Sequence, residues 1–150
     1  MASYDYYKRK DTGSVIPSLK PGENWFFIRI QPALQPMAVA DTLKLFKVKN
    51  HWVIKNGLTR ITTPTTAAAL GDIGTTAGGN ELDTNLDLDS ASDTWVRMDT
   101  VDDDGPVPIQ SDDYIYFECL SAAITDGVID LLIEIFIPHD SVGSMTSNEG

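Results

Sequence analysis

Apolar and polar residues alternate with a period of two along most of this chain, the signature of strands with one buried face. From Trp25 to Ile30, Phe26, Ile28 and Ile30 fall on one side and Trp25, Phe27 and Arg29 on the other. Thr42 to Val48 is apolar but breaks step at Leu45-Phe46, as a β-bulge does. Asn56-Gly57, between His51–Lys55 and Leu58–Thr63, predicts a type I′ hairpin, a turn that needs positive φ at both central residues. That register sets Trp52 against Ile61 and Ile54 against Thr59 on the core side, with Val53 and Arg60 on the other.

Ala67 to Thr76 is small and Gly-punctuated, a thin strand or a loop. Thr94–Asp99 and Tyr114–Leu120 read as further strands, the second with Ile115, Phe117 and Cys119 on one face. Val128 to Ile137 fits both periods: a strand would line up Ile129, Leu131, Ile133, Ile135 and Ile137, a helix Val128, Leu131, Leu132, Ile135 and Phe136. Its β-branched content, Phe136 and the stop at Pro138 decide for a strand. The one helix candidate, Glu81 to Ala91, is rich in Asp and Asn and therefore poor.

Seven or eight short strands joined by Gly, Pro, Asn and Asp turns predict an all-β, single-domain antiparallel sandwich or jelly roll. Residues 1–23, with Tyr4, Tyr6, Tyr7, Lys8, Arg9 and Lys10, read as an extended N-terminal arm. Residues 24–140 read as the sandwich and 141–150 as a short polar tail. At 150 residues one core can form without staples. Cys119, the single cysteine, sits within an apolar alternation and reads as a buried structural thiol. The opening Met-Ala-Ser-Tyr-Asp lacks the basic and apolar regions of a secretory signal. The longest apolar-rich stretch, ten residues with Asp130 and Glu134 inside it, is too short for a membrane helix.

The net charge of −11 is unevenly spread. Residues 1–75 carry ten Lys/Arg against five Asp/Glu, whereas residues 76–150 carry Arg97 alone against seventeen acids. The acidic half would repel phosphates, so nucleic acid is not an expected partner. The halves either neutralise each other within one fold, which the usual adjacency of consecutive elements favours, or let one copy's basic face meet another's acidic face.

Chemistry finds little support. The histidines, His51 and His139, flank a tight turn and the tail, no Gly-x-Ser-x-Gly elbow occurs, and Cys119 lies mid-strand. The glycine-rich run 71–79 lacks the Gly-Lys-Ser/Thr ending of a phosphate loop. Asp83-Thr-Asn85-Leu-Asp87-Leu-Asp89 fails as an EF-hand, with Leu88 where glycine and Thr94 where glutamate are required. A looser calcium site from Asp87, Asp89 and Asp93, or from Asp102, Asp103 and Asp104, competes with the favoured reading of a solvated acidic loop. No carboxylate is visibly placed for a raised pKa, and no cofactor is expected. Trp25, Trp52 and Trp95 are assigned to core packing rather than to a sugar-stacking platform. The best candidates for touching a partner are Tyr4, Tyr6, Tyr7, Lys8, Arg9 and Lys10, residue types that carry much interface energy.

From Thr42 to His139 the chain resembles small structural proteins of tailed bacteriophages. The likeness rests on Leu-Thr-Arg-Ile-Thr-Thr-Pro-Thr-Thr (58–66), Asp-Ile-Gly-Thr-Thr (72–76), Glu-Leu-Asp-Thr-Asn-Leu-Asp-Leu-Asp (81–89), Asp-Asp-Tyr-Ile-Tyr-Phe (112–117) and Ile-Thr-Asp-Gly-Val-Ile-Asp-Leu (124–131). The resemblance implies a capsid decoration (cement) protein: a compact β domain, without enzymatic activity, that sits as a homotrimer on the capsid exterior and bridges major capsid protein subunits. It supplies no position-by-position motif, so no functional residue is carried over. A carbohydrate- or receptor-binding β-sandwich, calcium-assisted through the Asp-rich loops, is the alternative.

Overall fold

The computed structural model describes the backbone of residues 3–5 and residues 21–138, the side chains of residues 92 and 93 apart. The strands are β1 (Ser3–Asp5), β2 (Gly22–Ile30), β3 (Thr42–Val48), β4 (Val53–Thr63), β5 (Leu70–Gly74), β6 (Asp83–Asp87), β7 (Ser92–Arg97), β8 (Val107–Pro108), β9 (Asp113–Leu120) and β10 (Val128–Ile137). One short helix, α1 (Asp99–Asp104), follows β7.

Antiparallel pairing is nested: β2 with β10, β3 with β9, β4 with β7, and β5 with β6. The chain is thus one long hairpin of strand pairs. Rolling that hairpin adds the β10–β4 and β9–β5 contacts and yields two facing sheets, β2-β10-β4-β7 and β1-β3-β9-β5-β6. This is the jelly-roll wrapping, with β8 added beside β4 and β1 running parallel to β3. Inward positions of both sheets fill one core: Ile129, Leu131, Ile133, Ile135 and Ile137 of β10 are fully buried, as are Ile115, Phe117 and Cys119 of β9. Phe26 of β2 stacks on Phe46 of β3 across the sandwich, with ring centroids 4.5 Å apart.

The alternations expected for β2, β9 and β10 are realised, and the bulge expected in β3 falls between Lys44 and Phe46. The Asn56-Gly57 hairpin is not formed. Both residues lie inside β4, which runs unbroken from Val53 to Thr63 and pairs along its length with β10. Neither takes the positive φ that a type I′ turn demands. The irregularity there is a bulge at Lys55, opposite the step from Glu134 to Ile135. Gly57 serves close approach instead, since a Cβ there would lie 2.4 Å from Sδ of buried Met98. The helix also differs from expectation: residues 81–91 contain β6, and the helical turn comes later, where Val101 plugs into the core. Its N–H donates to the Leu82 carbonyl at 3.1 Å. Gly127, which opens into β10, has φ +97°, and a Cβ there would press on Thr65 at 2.8 Å.

Candidate assembly surface and buried carboxylates

The outward positions of the β2-β10-β4-β7 sheet are set by its register. Asp130 of β10 stands between Arg29 of β2 and Arg60 of β4, and two positions along, Leu132 stands between Phe27 and Leu58. The Asp130 side chain is fully buried beneath its partners. Arg29 Nε and Nη2 donate to its two oxygens at 2.8 and 3.0 Å, Arg60 Nη2 at 3.0 Å and Thr62 Oγ1 at 2.7 Å. Burial pushes the Asp130 pKa up, but the hydrogen bonds from Arg29, Thr62 and Arg60 outweigh it and hold the carboxyl below the usual carboxylate range. The Arg60 guanidinium also lies over the Trp95 ring at 4.6 Å. On the same face as this ion cluster, Trp25, Phe27 and Phe136 stand 37–45 % exposed. The core assignment of the three tryptophans therefore holds only for Trp52, which is buried. Trp25 points outward by strand parity, and Trp95 is half-buried under Arg60.

The opposite sheet presents a more polar face. Lys44 lies over the Tyr114 ring at 4.8 Å, Tyr114 meets Tyr116 edge-on, and the Tyr116 hydroxyl donates to Asp113 at 2.7 Å. Farther along the same face the register places Glu118 beside Asp72. Burial and the Asp72 charge push the Glu118 pKa up.

The expectation that no carboxyl is placed for a raised pKa is overturned at Glu118 and most strongly at Asp83. Asp83, at the start of β6, is 5 % exposed, and burial together with its contact to Asp99 pushes it up to about 7. Asp99 itself is held low: burial pushes it up, but hydrogen bonds from Asp83, Thr84 and Thr100 outweigh that. Sixteen positions separate the two residues, and only the packing of α1 against β6 brings them together.

Among the described residues no three His, Cys, Asp or Glu side chains gather as a metal site. Asp87 accepts from the Asp89 amide and the Ser90 hydroxyl, and Asp102 is engaged by Arg97 at 3.1 Å. His51 sits in the turn before β4 with φ 76°, its N–H donating to the Ile109 carbonyl. Cys119 is fully buried, its thiol donates to the Ala122 carbonyl at 3.0 Å, and burial pushes its pKa up to about 11. Alkylation of the native protein at about pH 8 is expected to run at least about a hundredfold slower than in denaturant, because the thiolate is the nucleophile. Equal rates by mass spectrometry would contradict this burial.

Of the residues singled out for partner contact, Tyr4 lies in β1 opposite Leu43. Tyr6, Tyr7, Lys8, Arg9 and Lys10 lie outside the described residues, as do His139 and the C-terminal tail.

The chain matches no protein-family model and no curated protein sequence. Its fold, however, is shared with chains in three solved assemblies. A chain of the Ralstonia phage GP4 capsid superposes with TM-score 0.59 at 13 % identity, covering 91 % of this chain and 97 % of that one. A chain of the acid-stable capsid of Helicobacter pylori bacteriophage KHP30 gives 0.56 at 13 %, covering 80 % and 91 %. A chain of the cyanophage Pam1 capsid asymmetric unit gives 0.54 at 9 %, covering 87 % and 97 %. At these identities the likeness is one of fold.

Proposed function

We propose that this chain is a non-enzymatic structural protein of a bacteriophage virion, a decoration or cement protein on the capsid exterior. The observation that carries the reading is the likeness in fold, over 80–91 % of this chain, to chains of three phage capsids. Each alignment spans most of both partners, so each matched chain is close to this one in length. The outer sheet faces also suit contact work: one sets exposed aromatics beside the Arg29–Asp130–Arg60 cluster, the other bears tyrosines and Lys44. The burial and high pKa of the cysteine thiol support the non-enzymatic part of the reading.

In this reading the protein binds major capsid protein subunits as a homotrimer and bridges them, with neither nucleic acid nor membrane as a partner. A rigid sandwich costs little ordering entropy on docking, and three copies gather weak contacts into avidity. The chain ahead of β2, anchored at the sheet edge by β1, acts as the arm that reaches adjacent subunits, through Tyr4, Tyr6, Tyr7, Lys8, Arg9 and Lys10.

Deleting residues 2–12 is expected to leave the melting transition cooperative, because among the described residues the deletion removes only the three-residue β1 from the edge of its sheet. It is expected to abolish co-sedimentation with shells assembled from the same virus's major capsid protein. Undiminished binding of the truncated protein would sink the arm assignment. Failure of the intact protein to bind such shells would sink the decoration reading. Light scattering tests the trimer separately, and a monomeric mass in solution would count against it.

A further inference from the structure

The margin of the sandwich where β6 approaches the β7–α1 corner is joined through two carboxyl groups. The Asp99 amide donates to Asp83 Oδ1 at 3.2 Å, and the Thr84 amide donates to Asp99 Oδ1 at 3.1 Å. These two amide hydrogen bonds hold the carboxyl groups close to each other. Ionised carboxylates only accept hydrogen bonds and repel at close range, so the repulsion is relieved when the pair holds a single proton. The more deeply buried Asp83 is its natural holder.

Among the described residues the surroundings supply no free countercharge. Asp83 and Asp99 line a cleft of about 310 Å³ between the sheets. To it β4 contributes uncharged Thr59 and Ile61, β6 contributes Asp87, and β7 contributes Val96 and Arg97. Arg97, the one cation among the described residues of this wall, is engaged by Asp102 of α1. On β5 the residue in register with Asp83 is Ile73, while Asp72 is turned to the outer face, accepting from the Asn85 amide at 2.8 Å. The remaining ties of α1 are apolar or backbone: Val101 in the core, its amide on Leu82, and the Met98 amide on the Gly57 carbonyl at 2.9 Å.

We propose that Asp83 and Asp99 form a proton-operated clasp: the shared proton ties edge strand β6 of one sheet to the β7–α1 corner of the other, and its loss sets two carboxylates against each other and loosens that edge. The loosening is local, because Met98 and Val101 keep α1 seated. The switching range follows from the position of Asp83 near 7, against 3.8 for the free side chain. A raised folded-state pKa means that the native protein holds the proton more tightly than the unfolded chain. The stabilisation is therefore complete below about pH 4, declines as pH rises, and is gone above about pH 7.

Asp83→Asn supplies a permanent stand-in for the protonated side chain. Its amide NH₂ donates to Asp99 and its carbonyl accepts from the Asp99 amide. In the wild type, amide exchange at Thr84, corrected for its intrinsic pH dependence, is expected to be about tenfold faster at pH 8.5 than at pH 5.5. In D83N it is expected to be flat over that range, and D83N should melt above the wild type at pH 8.5, with the gap closing toward pH 4. Glu118→Gln, a control at another raised carboxyl, should follow the wild-type exchange profile. Carbon-13 NMR of the wild-type carboxyls tests the same point without a variant, with Asp83 expected to titrate near 7. Titration of Asp83 near 4, or parallel exchange profiles for wild type and D83N, would overturn the clasp.

Discussion

Phe117→Ala is expected to remove about 4 kcal/mol of stability, read as a lowered urea midpoint at unchanged slope. Phe117 is fully buried in β9, the central strand of its sheet, with Leu43 of β3 on one side in register and Ile73 of β5 on the other. Its ring also fills the space over Gly71, where a Cβ would lie 2.6 Å from Cε1 and 2.8 Å from Cζ. Truncation opens a cavity that flanking strands, fixed by their ladders, cannot close. The same geometry makes Gly71→Ala costly by about 1–3 kcal/mol through overpacking. Pairing it with Phe117→Leu, which withdraws those two ring carbons, should return part of the loss. A double-mutant cycle with no coupling between positions 71 and 117 would show that the ring moves aside freely.

What can be read from the sequence follows the range of the interactions concerned. The β10 alternation is visible because five inward residues in ten face one uniform environment, and β2 and β9 repeat the pattern. The β3 bulge is visible as a local break in step. Asn56-Gly57 misleads because the same dipeptide serves two physical needs. In a hairpin it supplies positive φ, whereas in β4 the glycine makes room for Met98, forty-one residues later in the chain. Nothing within the local window separates these cases. The helix at Asp99–Asp104 is hidden for a related reason: six residues with four acids have no helical stripe, and it is the single apolar side chain of Val101, captured by the core, that holds the turn.

The polar sites are less legible than the strands. Asp83 looks like one of many loop acids until α1 brings Asp99 onto it. Strand parity correctly puts Arg29 and Arg60 on outward positions, but that Asp130 lies between them depends on the order β2-β10-β4, which local alternation does not encode. The tryptophans show the limit of a general rule. Membership of a strand suggests burial for so large a ring, yet on a two-faced strand half of the positions look outward, and Trp25 occupies one of these. Its exposure, with that of Phe27 and Phe136, distinguishes an apolar outer face from the core that the same residue types would otherwise suggest.

Asp130→Asn is expected to cost about 3 kcal/mol near neutral pH, toward the low end for breaking a buried ion cluster because Arg29 and Arg60 keep some solvent contact. The variant keeps its shape and can still accept from Thr62, so the loss measures the missing charge beneath two adjacent guanidinium groups. The sign with pH is opposite to that of Asp83. The folded-state pKa of Asp130 is depressed, so its contribution is present above the ordinary aspartate value and is lost as acid protonates the native carboxyl. The wild-type advantage over D130N should accordingly shrink below about pH 4. An apolar replacement of the whole cluster, Arg29→Met with Asp130→Leu and Arg60→Met, is expected to recover to within about 1 kcal/mol of the wild type, since no charge is left buried without a partner. If that triple variant is as unstable as D130N, the ion cluster itself stabilises the sheet beyond what packing can replace. If it recovers, the charges are dispensable for the fold, and their effect on shell binding can be measured in a stable background.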